Sequence, residues 1–228
     1  MNYKALHNPF KVVQMFEEEI ANYCGSPYAV AVDSCTSALF LCCKYLGVGE
    51  VTIPRKTYLS VPQSIIHAGG TVQLSDEEWT GQYKLRPYPI IDSATRFTSG
   101  MYISGTFMCL SFHYKKILPI GKGGAILTGN KDAAKWFKKA RYEGRSEMNY
   151  WNDEITEPGW NMYMTPAEAA VGLSFMQNMK LHNADLVESP GYRDLGEFLP
   201  FLEETSQLAK RVIVPGKNGH DKTIKIIK

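Results

Sequence analysis

An amine, a carboxylate and a hydroxyl-rich turn each stand in a setting suited to chemistry. Lys116 lies within the run Leu110 to Gly124, which reads as a buried strand, a turn carrying the amine, and a return bracketed by Gly121, Gly123 and Gly124 into a second strand, Ala125 to Leu127. An amine held against a strand end by such a loop can be partly desolvated, which lowers its pKa from about 10.4 and frees its lone pair to attack a carbonyl. A Schiff base is the natural product. Asp92 ends the apolar run Pro89-Ile90-Ile91, and the carboxyl end of a strand is where open α/β sheets place ligand groups. Asp33-Ser34-Cys35-Thr36-Ser37 follows one apolar run and precedes a helical one. The backbone N–H groups at that helix start, with the Thr36 hydroxyl, can bind an anion. Plainer roles exist for each: a surface lysine beside Lys115, an aspartate capping a turn, and a Ser/Thr cluster acting only as an N-cap.

The elements that must position these groups follow from hydrophobic periodicity. Val12, Phe16, Ile20 and Tyr23 recur at helical spacing around Glu17-Glu18-Glu19 and stop at Gly25. Tyr28 to Val32 is then a buried strand, Ala38 to Leu46 a helix closed by Gly47, Val51 to Pro54 a strand, Val61 to His67 a helix ended by Gly69-Gly70, and Thr71 to Leu74 a strand. Pro89 to Asp92, Phe107 to Phe112 and Ala125 to Leu127 add further strands, and Asp132 to Tyr142 and Pro166 to Leu181 add helices. Strand-helix alternation predicts a parallel sheet with helices on both faces. Trp136 and Phe137, spaced with Ala133 and Ala140, read as core, and the Lys138, Lys139, Arg141 cluster as a solvated helix face.

Composition narrows the function. The 228 residues can bury roughly 70% of their unfolded surface, enough for a two-sided sheet core. With 25 basic against 23 acidic residues the net charge is +2, which argues against nucleic acid and for a small-molecule partner. Cys24, Cys35, Cys42, Cys43 and Cys109 lack paired CxxC spacing, and the five histidines are scattered. The expectation is buried thiols, a reducing compartment and no metal. With no apolar run of the length that crosses a bilayer and no signal-peptide core, the expected place is the cytoplasm, away from any membrane.

Six segments, in order, resemble the DegT/DnrJ/EryC1/StrS family of pyridoxal-phosphate-dependent sugar aminotransferases, of aspartate aminotransferase fold type I. They are Phe16-Glu17-Glu18-Glu19 leading to Tyr28 to Val32; Ser34-Cys35-Thr36-Ser37-Ala38-Leu39; Pro54 to Tyr58; Asp92-Ser93-Ala94; Ser111-Phe112-His113 through Lys116 to Gly121-Lys122-Gly123-Gly124; and Gly159-Trp160-Asn161 with Ala169-Ala170-Val171-Gly172-Leu173. The similarity covers Phe16 to Leu181. It implies an α/β chain with the three-layer large domain of fold-type-I transferases and a mostly parallel sheet. At least one βα unit is missing between Leu74 and Ile90. Residues 1–181 would form the cofactor-binding domain and 182–228 a reduced C-terminal segment.

The resemblance also implies site roles. Lys116 joins the cofactor aldehyde as a Schiff base and later shuttles a proton; the family's dehydratase branch has histidine at that position, so lysine favours transamination. Asp92 pairs with the pyridine nitrogen of pyridoxal 5'-phosphate, and Ser111 with the Cys35-Thr36 turn holds its phosphate. Tyr58 lies against the ring, Thr95 stands where the family prefers Gln or His near the ring oxygen, and Asn161 reaches the phosphate in the partner of a homodimer. Cys35 replaces a family glycine, and Tyr163 stands where an arginine is common. The implied substrates are a nucleotide-linked keto sugar and glutamate or glutamine as amino donor. Two other readings remain open: a truncated, non-catalytic or partner-regulating module, and a lyase or dehydratase using the same cofactor.

Overall fold

Residues 10–187 and 191–200 are described by a computed structural model. The elements run α1 (Lys11–Cys24), β1 (Tyr28–Val32), α2 (Cys35–Leu46), β2 (Glu50–Pro54), α3 (Ser60–Ala68), β3 (Thr71–Ser75), β4 (Tyr83–Leu85), β5 (Ile90–Asp92), β6 (Phe107–Ser111), β7 (Gly124–Thr128), α4 (Lys131–Ala140) and α5 (Pro166–Met176), with short 3-10 turns at Tyr150–Asn152 and Leu195–Glu197. No helix among the described residues is long and apolar enough to cross a membrane.

Period-2 alternation along the strands builds three layers. On β1 and β6, Val30, Val32, Phe107 and Cys109 face one core, shared with α2, α3 and α4. Ala29, Ala31, Met108 and Leu110 face the other, shared with α1 and α5. Strands buried on both faces read as continuous apolar runs, which is why the sequence shows them without polar alternation. Gly25 and Gly47 end α1 and α2 in the left-handed conformation, with φ of 74° and 57°, as their stop-signal reading requires. At Gly172 a Cβ would lie 2.5 Å from the Phe16 ring, so glycine is what lets α5 press onto α1. The start of α5 is fixed by a capping box between Thr165 and Glu168 with Pro166 in the first turn.

The sheet corrects the expectation of mostly parallel pairing. Its order is β1-β7-β6-β5-β4, and only the β5/β6 ladder is parallel; β1/β7, β6/β7 and β4/β5 are antiparallel. Strands β2 and β3 form a separate parallel pair, tied to the end of β4 by reciprocal Thr52–Arg86 backbone bonds of 2.8 and 3.0 Å. Strands β1, β2, β3, β5 and β6 therefore share one direction, while β4 and β7 run against it. The physical reason lies in the connections. Helical crossovers keep β1, β2 and β3 alike in direction, whereas β7 returns from β6 without a helix and reverses. Strand β4 was not foreseen: it is three residues long and fills the stretch where a βα unit is missing, placing a reversed strand between β5 and β2.

Two helix-level expectations also change. Helix α5 stops at Met176, with Gln177 as its cap, and not at Leu181. Arg141 is 1% exposed, so the basic cluster at the end of α4 is not a uniformly solvated face. Residues beyond 181 pack on the body where they are described. Asn183 Nδ2 donates to Phe97 O at 3.0 Å, Arg96 forms a two-point ion pair with Asp185, and Leu195 is buried in the α2 core. Residues 188–190 and 201–228 of the expected C-terminal segment lie outside the described residues.

Candidate active site

The carboxyl ends of β1, β5 and β6 open into one cleft of about 440 Å³. Asp92 ends β5, Ser111 ends β6, and the Ser34-Cys35-Thr36 turn leaves β1. Parallel direction of these three strands brings their ends to the same edge, as expected for a ligand crevice. Lys116, Asp92, Ser111, Cys35, Thr36 and Tyr58 all line it.

Local hydrogen bonds explain why each group is held. Ser34 caps α2 by accepting from Ser37 N at 3.1 Å, and Asp33 Oδ1 accepts from Ser37 Oγ at 2.5 Å. The first two residues of α2, Cys35 and Thr36, line the cleft, with the Thr36 hydroxyl exposed and bonded to Ser60 at 2.8 Å. A Cβ on Gly124 would fall 2.5 Å from Ser34 C and 2.6 Å from Cys35 N, so glycine lets β7 run directly beneath this turn. The Lys116 turn is pinned by Phe112 N to Gly123 O (2.9 Å), Tyr114 N to Gly121 O (3.1 Å) and Lys116 N to His113 O (2.8 Å). Lys116 is half-buried, whereas Lys115 is exposed.

Asp92 is 5% exposed. Its Oδ1 accepts from Ala94 N at 2.9 Å and faces the Cys35 thiol at 3.9 Å, and its Oδ2 accepts from the Tyr83 hydroxyl at 2.9 Å. Burial pushes the Asp92 carboxyl above its ordinary value, opposed by the Ala94 N–H, the Tyr83 hydroxyl and the positive charge of Lys116. Burial, reinforced by the Asp92 charge, pushes the Cys35 thiol well up, so it stays neutral. All five cysteines are buried free thiols, as expected from their spacing.

The raised Asp92 value has a consequence for stability. The unfolded chain releases this proton in the ordinary carboxylate range, while the folded chain retains it to higher pH. The folded state then binds more protons, and stability falls as pH rises from the ordinary range through the raised folded value. Asp92→Asn should therefore raise the melting temperature of the cofactor-free protein at neutral pH, with the gain shrinking toward about pH 4. Thermal melts at the two pH values check this, and an equal loss of stability at both would show that carboxylate burial is not the governing cost.

Two of the expected site residues do not line this cleft, and for Asn161 the expected site is the partner's. Thr95 is 1% exposed, is not among the residues lining the cleft, and donates its hydroxyl to Gly81 O at 2.9 Å. Asn161 is exposed outside the cleft, where its Nδ2 donates to Glu143 Oε1 at 2.7 Å. Tyr58 lines the mouth and is 61% exposed, with its ring edge-on to Tyr192 at 6.3 Å. Sequence reasoning missed Tyr83, Trp79 and Lys122. Tyr83 and Leu85 do alternate before Pro87, but three residues carry too little pattern to mark a strand. Lys122 reaches Asp33 Oδ2 at 3.2 Å across the turn.

Residues 1–103 and 99–186 match the model of the family described as DegT/DnrJ/EryC1/StrS aminotransferases. The chain belongs to that family. Among curated relatives it is 26% identical to the spore coat polysaccharide biosynthesis protein SpsC of Bacillus subtilis, over 73% of this chain and 57% of that protein. It is also 26% identical to the GDP-perosamine synthase of Caulobacter vibrioides, over 88% of this chain and 63% of that one. The crystal structure of AtS13 from Actinomadura melliaura superposes with a TM-score of 0.67 at 20% identity, over 74% of this chain and 60% of that one. The fold is thus that of fold-type-I pyridoxal-phosphate transferases in shortened form, and this DegT/DnrJ/EryC1/StrS member spans about three fifths of the length of the relatives it matches.

Proposed function

We propose that this chain is a pyridoxal-phosphate-dependent aminotransferase that converts the ketone of a nucleotide-linked sugar to an amine, with glutamate or glutamine as donor. The observation that carries the reading is the convergence of Lys116 and the buried Asp92 on one cleft, beside the N-terminus of α2. The likeness to a GDP-perosamine synthase supports a nucleotide sugar as substrate. In this reading residues 1–181 form the cofactor-binding unit, 182–228 are a reduced C-terminal segment, and Asn161 reaches the phosphate site of the partner in a homodimer.

The donor set suits pyridoxal phosphate, the cofactor of this aminotransferase family. When bound, that group supplies an aldehyde carbon and a cationic ring that draws negative charge from the reacting carbon. The α2 backbone N–H groups, Thr36 and Ser111 suit the phosphate end. Asp92, acceptor-only when ionised, holds a proton on the ring nitrogen. Lys116 Nζ would hold the aldehyde end, and its free amine would carry the proton taken from the reacting carbon. Tyr58, Trp79 and Tyr192 wall the mouth and exclude water from that transfer.

Purified protein mixed with pyridoxal phosphate should turn visibly coloured, and borohydride should fix the cofactor to Lys116 as a secondary amine, read by peptide mass spectrometry. Protein that takes up no cofactor ends this reading. The three-residue β4, which stands where a βα unit is missing, supports a second one, a partner-regulating module. Glutamate or glutamine should shift the spectrum of an enzyme and leave that of a module unchanged.

A further inference from the structure

We propose that Tyr83 is a positioning residue for Asp92: its hydroxyl, delivered by β4, holds the carboxylate charged and aimed into the cleft. This rests on the reading of the cleft as a cofactor site, and it concerns a segment outside the six segments that carry the family resemblance. Strand β4 pairs antiparallel with β5 in a register that sets Tyr83 directly opposite Asp92, so the two side chains project from the same face. Tyr83 is buried, and its ring packs against Trp79 with centroids 4.7 Å apart. Trp79 is itself fixed by an Nε1 bond to Lys56 O at 2.9 Å.

The direction of the bonds follows from counting protons. Burial and the nearby carboxylate push the Tyr83 phenol well above its ordinary value, so it keeps its single proton. An ionised carboxylate only accepts, so that proton goes to Asp92 Oδ2 at 2.9 Å. The buried Thr57 hydroxyl, 2.6 Å from the Tyr83 oxygen, must then donate to it. The relay Thr57 to Tyr83 to Asp92 polarises each member and strengthens the last bond. Asp92 Oδ1 is engaged by both the Ala94 N–H and the Cys35 thiol, while Oδ2, which accepts from the Tyr83 hydroxyl, keeps one lone pair. Nothing in the relay has to break for the carboxylate to meet a ring N–H. The other titratable groups facing Asp92 are Cys35 from α2 and Cys109 from β6, both neutral thiols, and the Lys116 ammonium from the turn after β6.

The test uses aspartate labelled with carbon-13 at its carboxyl and the full cofactor-free chain. In Tyr83→Phe, which keeps the ring packing, the Asp92 carboxyl should titrate at higher pH than in the parent. Thr57→Val should move it the same way by less, and it provides the measurement if the Phe variant does not fold. An unchanged midpoint in a folded variant overturns the proposal. With nitrogen-15-labelled pyridoxal phosphate bound, the ring-nitrogen resonance of Tyr83→Phe should move toward the unprotonated position. Failure of the parent to take up cofactor would end the reading of the cleft, yet the carboxyl titration would still decide the role of Tyr83.

Discussion

Replacing Lys116 with alanine should lower the rate of amino transfer by at least about a thousandfold and leave the fold intact. The size of the effect follows from the two tasks proposed for this one amine, covalent attachment and proton transfer. Lys115 and Lys122 also line the cleft, but both are exposed, and Lys122 is ion-paired with Asp33 at 3.2 Å. The fold should survive because the turn is held by backbone bonds, including Lys116 N to His113 O, which alanine keeps. Lys116→Arg sharpens the comparison: it preserves the charge beside Asp92, but a guanidinium cannot be deprotonated at working pH. Both variants should bind pyridoxal phosphate reversibly and yield no borohydride adduct at position 116. Single-turnover spectra with glutamate, alongside thermal melts, make the measurement. A rate within tenfold of the parent in a folded alanine variant would remove Lys116 from the chemistry.

What the sequence makes legible is local. The apolar runs that became β1, β2, β3, β5, β6 and β7 are long enough to read, and Gly25, Gly47 and Gly69 mark helix ends because each needs a positive φ. Lys116 and Asp92 are visible for the same reason: each adjoins a clear strand, and the strand fixes where its end lies. Strand direction was misjudged at β4 and β7, which reverse after helix-free connections, whereas β5 and β6 stay parallel across the loop 93–106. Tyr83 was overlooked although it bonds to the most buried carboxylate of the cleft, since β4 is too short to show a period. Thr95 was placed by family position, but its partner is the carbonyl of Gly81, set by a loop conformation that periodicity does not encode. Arg141 looked solvated because it follows Lys138 and Lys139, while the residue that buries it, Glu17, lies far away in the chain.

That pairing supports the second large effect, a loss of about 3–5 kcal/mol of folding stability in Arg141→Met, or roughly 10 °C in melting temperature. Strand β1 lies at the edge of the sheet; among the described residues its outer side meets only the short Val32–Tyr163 bridge, and no strand pairs with the Ala31 backbone there. Glu17 from α1 accepts the Ala31 N–H at 3.0 Å, and the Arg141 guanidinium donates both to the Ala31 carbonyl and to Glu17. These two side chains complete the edge as a further strand would, satisfying groups that burial would otherwise leave orphaned. The second guanidinium nitrogen reaches Glu147 at 2.9 Å, which Gln14 also holds. Methionine fills the volume but leaves the Glu17 carboxylate, 4% exposed, with only the half-exposed Lys138 ammonium at 2.8 Å to offset its charge. Lys138→Met should therefore change stability by no more than about 1 kcal/mol. Adding Glu17→Gln to Arg141→Met should recover part of the loss, because it removes the stranded charge and keeps an acceptor for Ala31 N–H. Denaturant melts of the three variants and the double variant close the cycle. Strict additivity of the two substitutions would mean that Arg141 acts through packing alone. Because β1 runs straight into the Asp33-Ser34 turn, the same edge clamp holds the α2 end of the cleft in register with β7.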